Sequence, residues 1–113
     1  MKPEITFEDF NKVDFRIGTI IEVEDFPKAK KPAYILTIDF GLLGIKKSSA
    51  QITDLYTKND LLHKQINANV NFYKKQIANF YSECLVLGIS NSKNEIVLLQ
   101  ASSSTVKNGE QIR

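Results

Sequence analysis

From Asp14 to Asp25 the chain alternates: Phe15, Ile17, Thr19, Ile21 and Val23 fall on one side, Arg16, Gly18, Ile20, Glu22 and Glu24 on the other. A period of two marks a β-strand, and this one is near the upper end of usual lengths. Gly18 in its interior signals a bulge or sharp bend. A long, bent first strand that belongs to both sides of a closed sheet is how small barrels begin. Ahead of it the spacing differs. Thr6 can cap a short N-terminal helix, Asp9 follows three residues later, and Phe7 and Phe10 share a face at i, i+3. That helix is too short to stand alone, so its rings must pack on something.

The next strand carries Tyr34, Leu36, Ile38 and Phe40 on one face, after a Lys-rich connection Phe26 to Lys31 bracketed by Pro27 and Pro32. Gly41 and Gly44 flank a turn into a third strand, Ile45 to Ser49. Ala50 to Tyr56 reads as a short helix with Ile52, Leu55 and Tyr56 on its apolar side. Ile66, Ala68, Val70 and Phe72 alternate as a fourth strand, a loop with Lys74 and Lys75 follows, and Ser82 to Ile89 is a fifth. Ser92, Lys93 and Asn94 form a turn before a short final strand, Glu95 to Gln100. One helix between the third and fourth of five strands is the arrangement of the OB-fold, a partly open Greek-key barrel. Another small antiparallel barrel or sandwich fits the same periodicity. Ile96, Val97, Leu98 and Leu99 are consecutive apolar residues, whereas a half-exposed strand alternates. Both faces of that last strand should therefore be covered, the outer one by the N-terminal helix or a second copy, and a twofold homodimer is expected, with Phe7 and Phe10 contributing.

The chain has 113 residues, enough for one domain over residues 1–113, and no repeat or linker divides it. No apolar run approaches a membrane span of about 20 residues, and Met1 to Thr6 shows no secretory signal. The single cysteine, Cys84, excludes an internal disulfide and fits a reducing compartment, so a cytoplasmic location is expected. Net charge is only +2, but lysines cluster as Lys28, Lys30 and Lys31, then Lys46 and Lys47, then Lys74 and Lys75. Gathered by the fold, such clusters create a local positive field despite the modest total. His63 and Cys84 are the only strong soft-metal ligand candidates and share no motif, so neither a metal site nor a cofactor is expected. No phosphate loop, Ser-His-Asp set or placed carboxylate pair appears, and an enzyme is not expected.

Several stretches bring a family into view: Asp14-Phe-Arg-Ile-Gly-Thr-Ile, Phe26-Pro-Lys-Ala, Ile38-Asp-Phe-Gly, Ser48-Ser-Ala-Gln-Ile-Thr, Val70-Asn-Phe and Ser82-Glu-Cys-Leu-Val-Leu-Gly. In this order, over roughly residues 6 to 112, they resemble the tRNA-binding domain family. The likeness is greatest to the CsaA-type export-related chaperones, and the chain is also similar to the C-terminal domain of methionyl-tRNA synthetases. The resemblance implies an OB barrel without catalytic activity, whose terminal segments build a homodimer, and a ligand that is a preprotein bound for secretion or a tRNA. The chain departs from the family pattern at Tyr73-Lys74, where relatives carry prolines, at Gln76, where they carry a basic residue, and at Asn79, where they carry a glycine. Asn enters left-handed conformations more readily than most residues, which makes the last change tolerable.

In an OB barrel the second and third strands, with the first–second and fourth–fifth loops, form the binding face. That places Lys46, Lys47 and Ser49 beside Asn71, Phe72, Lys74 and Lys75, with Phe26 and Lys31 across from them. Three lysine clusters are thus expected to border one groove, with Tyr34, Tyr73 or Tyr81 interleaved. Lysines would contact phosphates and aromatic rings would stack on unpaired bases. The same surface suits an unfolded peptide, bound through exposed apolar residues such as Phe26 or Phe72. A homodimeric chaperone for exported polypeptides is the first reading. A tRNA-binding factor, acting free or with a synthetase, is the second. A lone solubilising role is the plain alternative for any single lysine.

Overall fold

The computed structural model describes residues 1–113. An N-terminal helix α1 (Phe7–Asn11) leads into a long strand β1 (Phe15–Asp25), followed by β2 (Tyr34–Asp39), β3 (Ile45–Ala50), helix α2 (Lys58–Leu61) and β4 (Gln65–Asn69). The remaining strands are short: β5 (Lys75–Ile77), β6 (Phe80–Ser82), β7 (Leu85–Val86), β8 (Gly88–Ser90) and β9 (Ile96–Leu98). Five of them form one antiparallel sheet in the order β3-β2-β1-β4-β7, while β5-β6 and β8-β9 are two-stranded hairpins. The sheet curls until β3 meets the residues before β7: the Glu83 amide donates to the Lys47 carbonyl at 2.8 Å, and the Ser49 amide reaches Ser82 Oγ at 3.3 Å. This nearly closed five-stranded barrel, with its single helix between β3 and β4, is an OB-fold.

β1 makes the closure possible because its two halves have different neighbours. Residues 15–19 pair with β4 and residues 19–25 with β2. The free edge of the first half is taken by the chain's last residues: the Gly109 amide donates to the Ile17 carbonyl at 2.7 Å and the Ile112 amide to the Phe15 carbonyl at 2.9 Å. The alternation expected along this strand does not run through. Ile20 opposes Ile38 but Glu22 opposes Thr37, so Ile21 is an extra, bulged residue. Before the bulge the even positions Gly18 and Ile20 face the core, and after it the odd position Val23 does, which leaves Ile21 exposed. Gly18 is not the bulge. It is a close approach: a Cβ there would lie 2.6 Å from Ile38 Cγ2 and 2.7 Å from the Phe40 ring.

The core is built from Tyr34, Leu36, Ile38 and Phe40 of β2 and its end, with Ile20, Ile52, Leu61, Ile66, Ala68, Cys84 and Leu98. This is the face expected from the sequence. The helix between β3 and β4 exists but lies later than expected. Ala50 ends β3, residues 51–57 form a loop with a turn at 53–55, and α2 starts behind Thr57. The reason is a capping box missed in the sequence, in which the Asp60 amide donates to Thr57 Oγ1 at 3.2 Å and the Thr57 amide to Asp60 Oδ2 at 2.8 Å. The Thr57 amide, and after it the Thr57 hydroxyl, hold the Asp60 carboxyl below its ordinary range. α1 is capped the same way by Thr6 and Asp9.

Two further expectations change. The expected loop after β4 is mostly the β5-β6 hairpin, whose two-residue turn places the positive φ on Ala78 (54°) rather than on Asn79. The fifth strand is split, β7 pairing with β4 and β8 with β9. In the single chain one face of the final strand is covered: Leu98 is buried and Ile96 packs on the core, while Val97 is exposed opposite an exposed Ile89. On α1, Phe10 packs against Phe15 with ring centres 6.0 Å apart, but Phe7 is exposed. No helix is long and apolar enough to cross a membrane.

Candidate ligand-binding groove

Phe26 ends β1's run and turns inward because the ring of Phe80, on the β5-β6 hairpin, meets it edge-on at 5.6 Å. This contact ties the β1–β2 loop to the hairpin and forms the floor between them. Above it opens a groove of about 580 Å³, rimmed by Lys28, Lys30 and Lys31 from the loop and Lys75 from the hairpin. None of these four ammonium groups has a carboxylate within ion-pair distance. Crowded cations without counter-charges give a field that favours an anion. Adjoining it lies a second groove of about 390 Å³, lined by the exposed Phe72 and Tyr73 together with Leu85 and Glu83. Ser49, Gln51, Lys75 and Ile77 line both, so the two are compartments of one surface.

Of the residues expected at the site, Lys31, Ser49, Phe72 and Lys75 line these compartments. Phe26 is present as the floor and not as an exposed contact, since it is buried. Lys74 stands beside the second compartment with its Nζ 3.8 Å from Glu83 Oε2, so its charge is partly met. Lys46 and Lys47 do not join. Successive side chains on a strand point to opposite faces. Lys46, in register with the buried Ile38, stands near Cys84, whereas Lys47 is exposed on the face of Ser49 but, unlike Ser49, lines neither compartment. The three-cluster groove is therefore a two-cluster groove.

Asn71 is also placed differently from expectation. Its Oδ1 accepts the Asp14 amide at 2.8 Å and Asn69 Nδ2 at 2.9 Å, and its Nδ2 donates to the Lys12 carbonyl at 2.7 Å. It holds the α1–β1 joint to the end of β4 and has little capacity left for a ligand. Tyr34, considered as a stacking residue, is buried with its hydroxyl donating to the Tyr56 carbonyl at 2.8 Å. Tyr81 is exposed but lines neither compartment.

The sequence reading missed Glu83 as a lining residue, while Lys28 and Lys30 were expected at the groove only as members of the Lys28, Lys30 and Lys31 cluster. The two lysines were legible in the same run as Lys31. Glu83 carried no signal, because its role depends on the barrel seam: its Oε1 accepts the Lys47 amide at 2.9 Å, capping the edge of β3. Cys84 next to it is buried, and desolvation pushes its thiol up to about 12, so it is no nucleophile at neutral pH. His63 is exposed with a left-handed backbone, and no three His, Cys, Asp or Glu side chains gather as metal ligands.

Known proteins share this architecture. The CsaA chaperone protein from Picrophilus torridus is 50% identical, with a TM-score of 0.91 over 97% of this chain and 100% of that one. The chaperone CsaA from Bacillus anthracis is 48% identical, with a TM-score of 0.92 over 98% of this chain and 100% of that one. Among curated proteins, a methionine–tRNA ligase of Thermococcus onnurineus is 31% identical over 96% of this chain. The chain spans only 14% of that ligase's length. A family model described as a putative tRNA binding domain matches residues 15–111, from the start of β1 to the segment that returns beside it, and the chain belongs to that family.

Proposed function

We propose that this chain is a CsaA-like, non-catalytic binding protein that acts as a homodimer and holds extended polypeptides destined for secretion. The observation that carries this reading is the similarity to two solved CsaA chaperones at 50% and 48% identity, against 31% for the ligase. The groove supports it physically. An extended segment can bury apolar side chains against Phe72, Tyr73 and Leu85 while its polar groups face the lysine rim. Phe7, Ile89 and Val97 remain uncovered in the single chain, and a second copy is the proposed cover.

The test is suppression of aggregation of a denatured client diluted from urea. The protein should keep light scattering low at near-equimolar ratio, and the Phe72→Ala/Tyr73→Ala variant should lose most of that effect at an unchanged melting temperature. No suppression by the wild type overturns the reading. Sedimentation showing only a 12.8 kDa species defeats the dimer.

A second reading, tRNA binding through the same surface, is favoured by the four unpaired lysines. Phosphate contacts by Lys28, Lys30, Lys31 and Lys75 release about four counterions. The slope of log affinity against log salt is then about −3 for a single-stranded ligand. Replacing these four by Ala should flatten the slope, while Lys46→Ala should leave it in place.

A further inference from the structure

The second compartment contains one carboxylate among aromatic walls, which is a costly feature in a surface otherwise suited to anions. Glu83 is fixed there from three directions. Its backbone amide is spent on the Lys47 carbonyl, its Oε1 on the Lys47 amide, and Lys74 Nζ holds Oε2 from 3.8 Å. Its side chain nevertheless remains 31% exposed and lines the compartment between Phe72, Tyr73 and Leu85. Oε2, too far from Lys74 for a hydrogen bond, keeps acceptor capacity toward the groove. The carboxylate offers acceptors only, beside rings that can stack on a flat ligand.

The geometry points to a base-reading role: Glu83 selects an unpaired nucleotide whose base edge donates from an amino group (cytosine, adenine or guanine) over uracil. The inference rests on the tRNA reading of the groove. With backbone phosphates on Lys28, Lys30, Lys31 and Lys75, the shared wall of Ser49, Gln51 and Ile77 leads a base into the aromatic compartment. The cytosine N4, adenine N6 and guanine N2 amino groups donate to a carboxylate, while uracil has no amino group and only a ring N3–H flanked by two carbonyls that meet it lone pair to lone pair. Proteins read unpaired bases in this way, by stacking together with hydrogen bonds to the base edge. A duplex does not satisfy the site, because its base edges are already paired.

The experiment is fluorescence anisotropy with labelled RNA octamers of C, A and U at low salt. Cytosine and adenine octamers should bind about tenfold more tightly than uracil octamers, the scale of one specific base contact. Glu83→Gln offers the base edge an amide donor that uracil O4 can accept, so the preference should fall to within about twofold or reverse. Should that variant fail to fold, the wild type is tested with N4,N4-dimethylcytosine octamers, which lack the amino donor and should bind as weakly as uracil. Equal binding of C, A and U overturns the base-reading role alone. Absence of binding to any octamer overturns the tRNA reading beneath it, and a Glu83→Gln effect on peptide clients without any on RNA assigns the carboxylate to the peptide role instead.

Discussion

Gly18→Ala tests whether the barrel depends on the contact between the first half of β1 and the end of β2. The added Cβ would sit 2.6 Å from Ile38 Cγ2 and 2.7 Å from two carbons of the Phe40 ring. Real carbon contacts begin near 3.5 Å, so both neighbours must retreat by close to an ångström. Neither has room, since Ile38 and Phe40 are both 0% exposed and packed in the central cluster. Overpacking of this kind costs about 1–3 kcal/mol, and relieving the entropic weakness of a strand glycine returns about 0.5–1 kcal/mol. A net loss of about 1–2 kcal/mol follows, which lowers the melting temperature by about 4–8 °C for each kcal/mol. Urea unfolding followed by circular dichroism measures it. A second variant isolates the cause. Phe40→Leu is destabilising by itself, yet combined with Gly18→Ala it should cost about 1 kcal/mol less than the two singles added together. Full additivity, or a Gly18→Ala chain as stable as wild type, refutes the steric argument.

Three other outcomes are expected. Asn71→Ala removes three hydrogen bonds at the α1–β1 joint and should lower stability by about 1–2 kcal/mol, with hydrogen exchange accelerating in residues 6–14 while groove affinity stays constant. Thr57→Ala unmakes the α2 capping box and should cost about 1 kcal/mol in thermal unfolding. Because Asp60 titrates below its ordinary range when folded, the stability its carboxylate lends is complete above the unfolded value of 3.8 and is lost as pH falls through the folded one. Cys84 should resist iodoacetamide at pH 8 until the chain unfolds. With the folded thiol at about 12 against 9.0 in the open chain, its contribution is complete below pH 9 and declines between pH 9 and 12.

The parts of this fold that were legible in the sequence are those with uninterrupted local periodicity. The β2 face of Tyr34, Leu36, Ile38 and Phe40 is apolar at every second position and is the core face. The α1 cap at Thr6 is a local motif and stands where the spacing puts it. Readings failed where an element depends on distant partners or on a motif overlooked. The bulge at Ile21 leaves no mark in a run of apolar residues, since either phase of the alternation looks plausible until β2 fixes the register. Lys46 and Lys47 looked like one cluster because adjacency in sequence was taken for adjacency in space, which a strand forbids. The return of residues 109–112 to β1 had no sequence signal, because its hydrogen bonds run mostly between backbone groups, joined by one from the Arg16 guanidinium to the Gly109 carbonyl.

That late return has a temporal consequence. During synthesis β1 leaves the ribosome 92 residues before Gly109, its partner at Ile17. At about 5–20 residues per second, the edge waits roughly 5 to 18 seconds with unmet donors and acceptors. Its β4 neighbour, 48 residues away at the Gly18–Ile66 pair, arrives at about the midpoint of that interval. The nascent chain is therefore most exposed to strand-to-strand association in its first seconds, and conditions that slow translation late in the message should lower its soluble yield more than equal slowing at the start.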